Sequence, residues 1–192
     1  MASGAQRLIL ASGSPRRLDL LRAHGFNPRV RRPDGDETPQ PGEDAAAPVE
    51  RLAMAKLAAV VDSHETGLAA DTVVVLDGEV LGKPGRPDWA TDMLHRLSGR
   101  THEVVGGLAV CHGGHTISGV VRTRVTFREL GDDEVDAYVA TGEPLDKAGA
   151  YAIQGGAAGF VTEVAGCREN VVGLSIPAVL AALKSLGAQS AG

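Results

Sequence analysis

Apolar residues at the start of the chain change from the spacing of a strand to that of a helix. The apolar run Leu8–Ser12 predicts a short buried strand. Ser14-Pro15 follows it, and a serine N-cap before a proline in the first turn is typical of a helix start. We expect this helix to turn Leu18 and Leu21 inward and to end at Gly25.

The next segments are a loop and a longer helix. Prolines and glycines are frequent in Arg31–Ala47, which predicts a loop. From there the apolar spacing is helical, and one stripe contains Val49, Leu52, Ala53, Leu57 and Val60.

The rest of the chain predicts further strands and helices that are separated by turns. In chain order we expect strands at Leu68–Leu76 and Glu79–Leu81 around an Asp77-Gly78 turn, a helix from Asp88 to Ser98, strands at Glu103–Cys111 and Thr116–Phe127 around Gly113-Gly114, a helix from Asp132 to Thr141, a glycine-rich loop around a strand at Asp146–Gly159, a strand at Phe160–Val164 and a helix at Pro177–Leu186. This mixture favours an α/β or α+β architecture. We predict one domain over residues 1–187 and a short flexible tail at 188–192.

Composition places this pattern in an ordinary globular protein. The length of 192 residues suits one core or two lobes that share a cleft. Apolar residues make up 43% of the chain and aromatic residues 3%, so the core must rest on aliphatic side chains. So few aromatic side chains disfavour a stacking surface for single-stranded nucleic acid.

Charge and cysteine content restrict the partners further. The net charge of −5 disfavours nucleic acid as a partner, since such binding needs clustered Lys and Arg, whereas a local basic patch would suit a small anionic ligand. The chain has only Cys111 and Cys167, no secretory signal pattern and no apolar stretch long enough to cross a bilayer. We therefore expect a cytoplasmic protein with no membrane partner.

The first candidate site is Ser12-Gly13-Ser14-Pro15-Arg16-Arg17. A strand that turns into a helix through small residues presents free backbone N–H groups at the positive end of the helix dipole. Arg16 and Arg17 would add guanidinium donors for a phosphate. The alternative is an ordinary capped helix with two solvated arginines, and these six residues leave both open.

Carboxylates and a lysine at unusual positions form the second group of candidates. Asp71 stands inside an apolar strand, where a carboxylate is costly unless it is paired or bound, which favours a catalytic or ligand role. Lys56 lies within the apolar stripe of its helix, so it must meet an anion or, as is more common, extend outward to water. Asp36 and Glu37 lie in a loop, where acidic residues are usually only solvated.

Two glycine-containing segments supply the remaining candidates. Gly82-Lys83-Pro84 holds a rigid lysine after a hairpin, although a plain turn lysine would look the same. In Asp146–Gly155, small residues would let a ligand approach the backbone, and the Gln154 amide could recognise a base edge. The alternative there is a glycine-rich loop with a capping glutamine.

Histidines and cysteines give weaker signals. Cys111, His112 and His115 lack a fourth ligand at zinc spacing, so we interpret them as part of a structural hairpin. His102 beside Glu103 is interpreted as a pair at a strand edge.

Taken together and in order, these segments resemble the Maf family of nucleotide pyrophosphatases. The resemblance runs from about Leu8 to Leu186. The segments that carry it are Ala11–Arg17, Asp36-Glu37-Thr38, Leu52–Lys56, Ala70–Val74, Gly82-Lys83-Pro84, Leu97-Ser98-Gly99, Thr101–Val104, Asp146–Gly155 and Asn170–Leu174. The chain departs from the family pattern at Cys167-Arg168-Glu169 and at Ser175, which stands where the family has proline.

The resemblance implies a fold, an activity and a set of roles. The fold would be α/β, a two-lobed mixed-sheet architecture with flanking helices and a central nucleotide-binding cleft, like that of inosine triphosphate pyrophosphatases. The activity would be hydrolysis of a nucleoside triphosphate to monophosphate and pyrophosphate. The sequences of the motifs are most similar to those of the subgroup that acts on dTTP and UTP. Asp71 would accept the proton of water, Glu37 would bind metal or water, and the substrate ligands would be Ser12, Ser14, Arg16, Arg17, Lys56, Thr72, Lys83 and Gln154.

A divalent cation is the expected cofactor. Asp71 and Glu37 would hold it, and Mg²⁺ is favoured over Mn²⁺ and Co²⁺ because carboxylates and phosphates are its preferred ligands. A non-catalytic nucleotide-binding regulator of septum formation is the alternative function, and a homodimer is the expected assembly.

Overall fold

In a computed structural model of the chain, the structure describes residues 7–34 and 46–188. Within them the α-helices are Pro15–Ala23 (α1), Ala46–Val60 (α2), Pro87–Leu97 (α3), Asp132–Ala140 (α4), Arg168–Val172 (α5) and Ile176–Ser185 (α6). The strands are Ile9–Ala11 (β1), Arg29–Arg31 (β2), Gly67–Leu76 (β3), Glu79–Leu81 (β4), Thr101–His112 (β5), His115–Phe127 (β6) and Val161–Ala165 (β7). The predicted Asp36-Glu37 motif and nearly all of the predicted tail lie outside the described residues.

The strands form a mixed sheet. Their order is β2-β1-β3-β5-β6-β7, and β4 pairs with β3. Strand β1 is parallel to both neighbours, so Ala11 lies opposite Arg31 on one side and Ala69 on the other. Strands β4 and β7 are antiparallel to β3 and β6. This mixed sheet with flanking helices confirms the predicted fold class, while the cleft stays a prediction.

The chain divides into two compact units. Unit 1 contains the residues up to Asp71, Gly106–Val121 and the residues from Gly173 onward, and unit 2 contains Thr72–Val105 and Arg122–Val172. Every helix in the described part is too short or too polar to cross a lipid bilayer.

Small residues let helix α2 approach the sheet closely in unit 1. Its core cluster consists of Ala11, Ala53, Leu57, Ala69, Ala109 and Cys111. A Cβ atom on Gly107 would lie 2.2 Å from the backbone oxygen of Val49, so only glycine fits where β5 passes the start of α2. The Ala53–Leu57 face of α2 is thereby fixed against β1 and β3.

Aromatic rings fill the core of unit 2. Phe127 makes edge contacts with Tyr151 and Phe160 at centroid distances of 4.9 and 6.0 Å, and Tyr138 lies 5.4 Å from Phe160. Edge-to-face pairs of this kind add about 0.5 to 1.5 kcal/mol each beyond their buried area. Most of the few aromatic residues in the chain therefore belong to this one cluster.

The structure departs from the sequence predictions at four places, of which two are elements that were not predicted. Helix α1 buries Leu20 and Leu21, whereas Leu18 is only half-buried. Strand β2 was not predicted and overlaps the predicted loop at Arg31; its alternation is obscured by arginines because it is an exposed edge strand. The short helix α5 has too few turns for an apolar period to show.

The fourth departure concerns the glycine-rich segment at Asp146–Gly159, where the predicted strand is wrong and the structure has 3-10 turns instead. Gly149 and Ala150 have φ angles of 67° and 61°, and a strand requires negative φ. Gly149 also abuts Val74, since a Cβ atom there would lie 2.7 Å from that side chain. The segment is thus held tightly, although it is irregular.

Candidate functional site

A lysine and an aspartate form a nearly buried ion pair in unit 1. Lys56 Nζ lies 2.6 Å from Asp71 Oδ1, and the two side chains are 11% and 12% exposed. Asp71 is two residues beyond Ala69 and so shares the face of β3 that packs against α2. Lys56 lies three residues after Ala53, on the same face of its helix.

This pair decides between the two interpretations of Lys56, of which extension to water was the more common one. It meets an anion, because the closely packed face of α2 directs its side chain to the sheet at Asp71. Buried ion pairs contribute little net stability, since desolvation offsets the attraction between the charges. The pair therefore points to a role in binding or chemistry.

Ser12 is the centre of a second hydrogen-bonded group in unit 1. Its hydroxyl is 4% exposed and accepts hydrogen bonds from Ser14 N and Arg17 Nη1, both at 3.1 Å. Arg17 Nε also donates to the carbonyl oxygen of Gly173 at 2.9 Å. Because a hydroxyl has two acceptor sites and one donor, Ser12 keeps its own hydrogen for a further acceptor.

These contacts assign different parts to the two neighbouring arginines. Arg17 braces the turn between β1 and α1, and part of its hydrogen-bonding capacity is used within the protein. Arg16 is half-buried and, among the described residues, forms neither a hydrogen bond nor an ion pair. Of the two, Arg16 is the one whose donors remain available to an anion.

Ser14 occupies the predicted N-cap position of α1, but its side chain makes no capping hydrogen bond. The Ser12 hydroxyl instead accepts a hydrogen bond from the Ser14 amide, which fixes the turn before the helix begins. The predicted helix start is confirmed, and the Ser14 hydroxyl is left out of the cap.

The candidates in unit 2 lie on three segments, two of which are joined by a backbone hydrogen bond. Lys83 and Gln154 are exposed, and Thr72 is half-buried on β3. Gly149 N donates to the carbonyl oxygen of Gly82 at 3.1 Å, which ties the Lys83 turn to the glycine-rich segment.

The glycine-rich segment is clamped by side chains of the aromatic core. Tyr138 accepts a hydrogen bond from Ala152 N at 3.0 Å, and Glu143 accepts one from Gly156 N at 2.9 Å. The Tyr151 hydroxyl lies 2.8 Å from Nε2 of His102. Gln154 thus projects from a backbone that is fixed on both sides.

The interpretation of His102 as a strand-edge residue is wrong. Its side chain is 2% exposed and packs edge-on against Phe127 and Tyr151. Burial lowers the pKa of His102 to about 4 and raises the pKa of Tyr151. Glu103 pairs instead with Arg122 at 2.8 Å.

A sequence signal for His102 does exist. His102 and Val104 have the same parity on β5, and Val104 is buried, so the alternation already placed the imidazole in the core. The two-residue period of the strand outweighs the charged neighbour Glu103 as a guide to the position of His102.

The described residues contain no ready-made cluster of metal ligands. Over residues 7–34 and 46–188, no three Asp, Glu, His or Cys side chains converge as a metal site. Within the same ranges, the second carboxylate oxygen of Asp71 accepts no hydrogen bond.

Comparison with known proteins gives a match over nearly the whole chain. A family model described as Maf-like protein matches residues 7–186. The dTTP/UTP pyrophosphatase of Anaeromyxobacter dehalogenans (strain 2CP-C) is 51% identical over 187 residues, which cover 95% of each chain. That of Myxococcus xanthus (strain DK1622) is 50% identical over 182 residues, covering 94% of this chain and 92% of the relative.

A third relative and a solved structure extend the comparison. The dTTP/UTP pyrophosphatase of Geobacter sp. (strain M21) is 47% identical over 185 residues, which cover 94% of this chain and 96% of that one. The structure of the Staphylococcus aureus Ham1 protein matches 66% of this chain and 72% of its own, with 16% identity and a TM-score of 0.43.

Proposed function

The chain belongs to the Maf family, and we propose that it hydrolyses nucleoside triphosphates to a nucleoside monophosphate and pyrophosphate, with dTTP and UTP as its substrates. The near full-length identity of about half with relatives named dTTP/UTP pyrophosphatase supports the substrate class. The observation that carries the chemistry is the buried Lys56–Asp71 pair.

Asp71 is suited to accept a proton from water. The oxygen of that water bonds to the α-phosphorus, the bond from this phosphorus to the bridging oxygen breaks, and pyrophosphate leaves. The proton that water loses passes to the Asp71 carboxylate. Lys56 holds this carboxylate in place and can turn to a phosphate oxygen when substrate arrives, which frees the carboxylate for the proton.

Charge neutralisation is the other requirement of the reaction, because the attacked group is strongly anionic. Arg16, at the start of α1, offers donors that no other described residue uses, and the Ser12 hydroxyl offers its hydrogen. Arg17 contributes mainly by bracing the turn that presents both groups. We still expect Thr72, Lys83 and Gln154 to bind the substrate. Single substitutions can test each of these three roles.

A divalent cation fits this reaction. Asp71 and Glu37 would hold it, and a bound Mg²⁺ would supply positive charge to the phosphates. We propose Mg²⁺ because the donors are oxygen atoms, with Mn²⁺ and Co²⁺ as weaker substitutes.

The products of turnover test this proposal. The purified chain is incubated with dTTP, UTP and the other canonical triphosphates in the presence of Mg²⁺, and the products are separated by anion exchange. We expect dTMP or UMP and pyrophosphate in equal amounts, with slower turnover of the purine nucleotides. Nucleoside diphosphate with orthophosphate, or no product at all, contradicts the proposal, and the second result together with tight dTTP binding favours the regulator.

A further inference from the structure

Arg32 leaves the sheet beside the Ser12 turn. Strands β1 and β2 are parallel, and Ala11 lies opposite Arg31. The residues that follow them, Ser12 and Arg32, therefore emerge at the same edge of the sheet. Open α/β sheets bind their ligands outside the carboxyl ends of the strands, and this edge carries such ends.

The side chain of Arg32 runs across Gly13. A Cβ atom on Gly13 would lie 3.8 Å from Cδ of Arg32 and 3.9 Å from its Nε. These are ordinary van der Waals distances, so the arginine lies against the turn whose Ser12 hydroxyl keeps a free hydrogen. Arg32 is exposed to solvent there, and its Cγ and Cδ atoms lie against the turn.

Arg32 differs from most other arginines of the structure in its partners. Arg31 pairs with Glu65 at 2.6 Å, Arg122 with Glu103 at 2.8 Å and Arg128 with Glu134 at 2.7 Å. Within the described ranges, the guanidinium of Arg32 forms neither a hydrogen bond nor an ion pair. In a protein of net charge −5, an exposed cation that lies against this turn and pairs with no carboxylate of the described residues is placed to receive an external anion.

We propose that Arg32 is a further substrate-binding residue, whose guanidinium binds a phosphate oxygen of the triphosphate beside the Ser12–Ser14 turn. The inference rests on the proposed function for the identity of the substrate. Arg32 directly follows β2, a strand that the sequence did not predict, and it would add a further cation beside the turn. Arg32 and Arg16 would contact the phosphates from the β2 side and the α1 side of the turn.

Binding of an inorganic anion tests this without turnover. Calorimetry measures the Kd of tripolyphosphate with Mg²⁺ for wild type, Arg32→Gln, Arg32→Lys and Arg29→Gln. Arg29 is the matched control because it lies on the same strand, is exposed, has no partner among the described residues and faces the opposite end of β2. Circular dichroism and thermal unfolding establish that each variant is folded.

We expect Arg32→Gln to weaken tripolyphosphate binding and to raise the KM for dTTP by about 10- to 100-fold, the range for a lost charged hydrogen bond. Arg32→Lys should give an intermediate loss, since it keeps the charge but not the planar donors. Arg29→Gln should remain within about twofold of wild type, because screening weakens the effect of a distant exposed charge.

Wild-type Kd and KM in Arg32→Gln overturn the inference, and so does an equal loss in Arg32→Gln and Arg29→Gln, which would indicate a general charge effect. The two proposals fail separately. A wild-type chain that leaves dTTP and UTP intact but binds tripolyphosphate through Arg32 refutes only the hydrolase. Normal hydrolysis with no effect of Arg32→Gln refutes only the binding residue.

Discussion

Lys56 Nζ and Asp71 Oδ1 are 2.6 Å apart, and both side chains are almost excluded from water. The pair connects helix α2 with the strand that carries the proposed base. Because its net contribution to stability should be small while the loss of one partner should be costly, its energetics can be measured separately from catalysis.

Lys56→Met should lower the free energy of unfolding by about 3 kcal/mol, since it leaves the Asp71 carboxylate buried without its counter-charge. Adding Asp71→Asn to this variant should recover part of that loss. Urea unfolding of the two single variants and the double variant gives the coupling free energy. Strictly additive losses would show that the two charges do not stabilise each other.

Lys83→Ala should weaken substrate binding by about 1.5 to 3 kcal/mol, the value of a charged hydrogen bond, without a change in stability. Lys83 is exposed on the turn after β4, so its removal leaves no cavity. Steady-state kinetics with dTTP provides KM and kcat, and Lys184→Ala near the end of α6 serves as the control. Unchanged constants would return Lys83 to the role of a plain turn residue.

Acid should destabilise the protein through His102. Burial lowers its pKa to about 4 in the folded chain, whereas an unfolded histidine titrates near 6.5. The unfolded state therefore gains a proton first as the pH falls. The stabilisation is complete above pH 6.5 and is lost as the pH approaches 4.

Between pH 7 and pH 5, this difference amounts to about 2 kcal/mol. The free energy of unfolding of wild type and His102→Gln, measured in urea at both values, isolates the contribution. We expect wild type to lose about that much more than the variant. Equal losses would mean that His102 is protonated in the folded protein at pH 5.

Removal of divalent metal should stop turnover. With EDTA we expect no pyrophosphate release, and added Mg²⁺ should restore the activity, because phosphoryl chemistry on a polyanion requires charge neutralisation. Glu37→Gln should raise the Mg²⁺ concentration needed for half-maximal rate. Full activity in EDTA after extensive dialysis would exclude the proposed cofactor.

Much of the fold was predictable because its apolar periods are long. The stripe that contains Val49, Leu52, Ala53 and Leu57 is buried on α2 as expected. The unusual position of Asp71 in an apolar strand also indicated its burial correctly. Hydrophobic periodicity predicted burial correctly where successive residues of a segment followed the same period.

The structural features that the sequence did not predict depend on tertiary contacts. Strand β2 has only one apolar residue, so Arg32 could not be recognised as the residue at a strand end. The Arg17 contact with Gly173 joins residues 156 positions apart, which no local pattern reveals. The partner of Lys56 was likewise decided by the close packing of α2 on small residues, and that packing is a property of the assembled sheet.

The most direct test of the account is Asp71→Asn, assayed for pyrophosphate release from dTTP and, in the same preparation, for dTTP binding by calorimetry. Asp92→Asn, at an exposed position of α3, is the matched control. We predict that turnover falls by about 10²- to 10⁴-fold while dTTP still binds, because the variant keeps the shape of the side chain but cannot accept the proton of water. Turnover at the wild-type rate in Asp71→Asn would contradict the account.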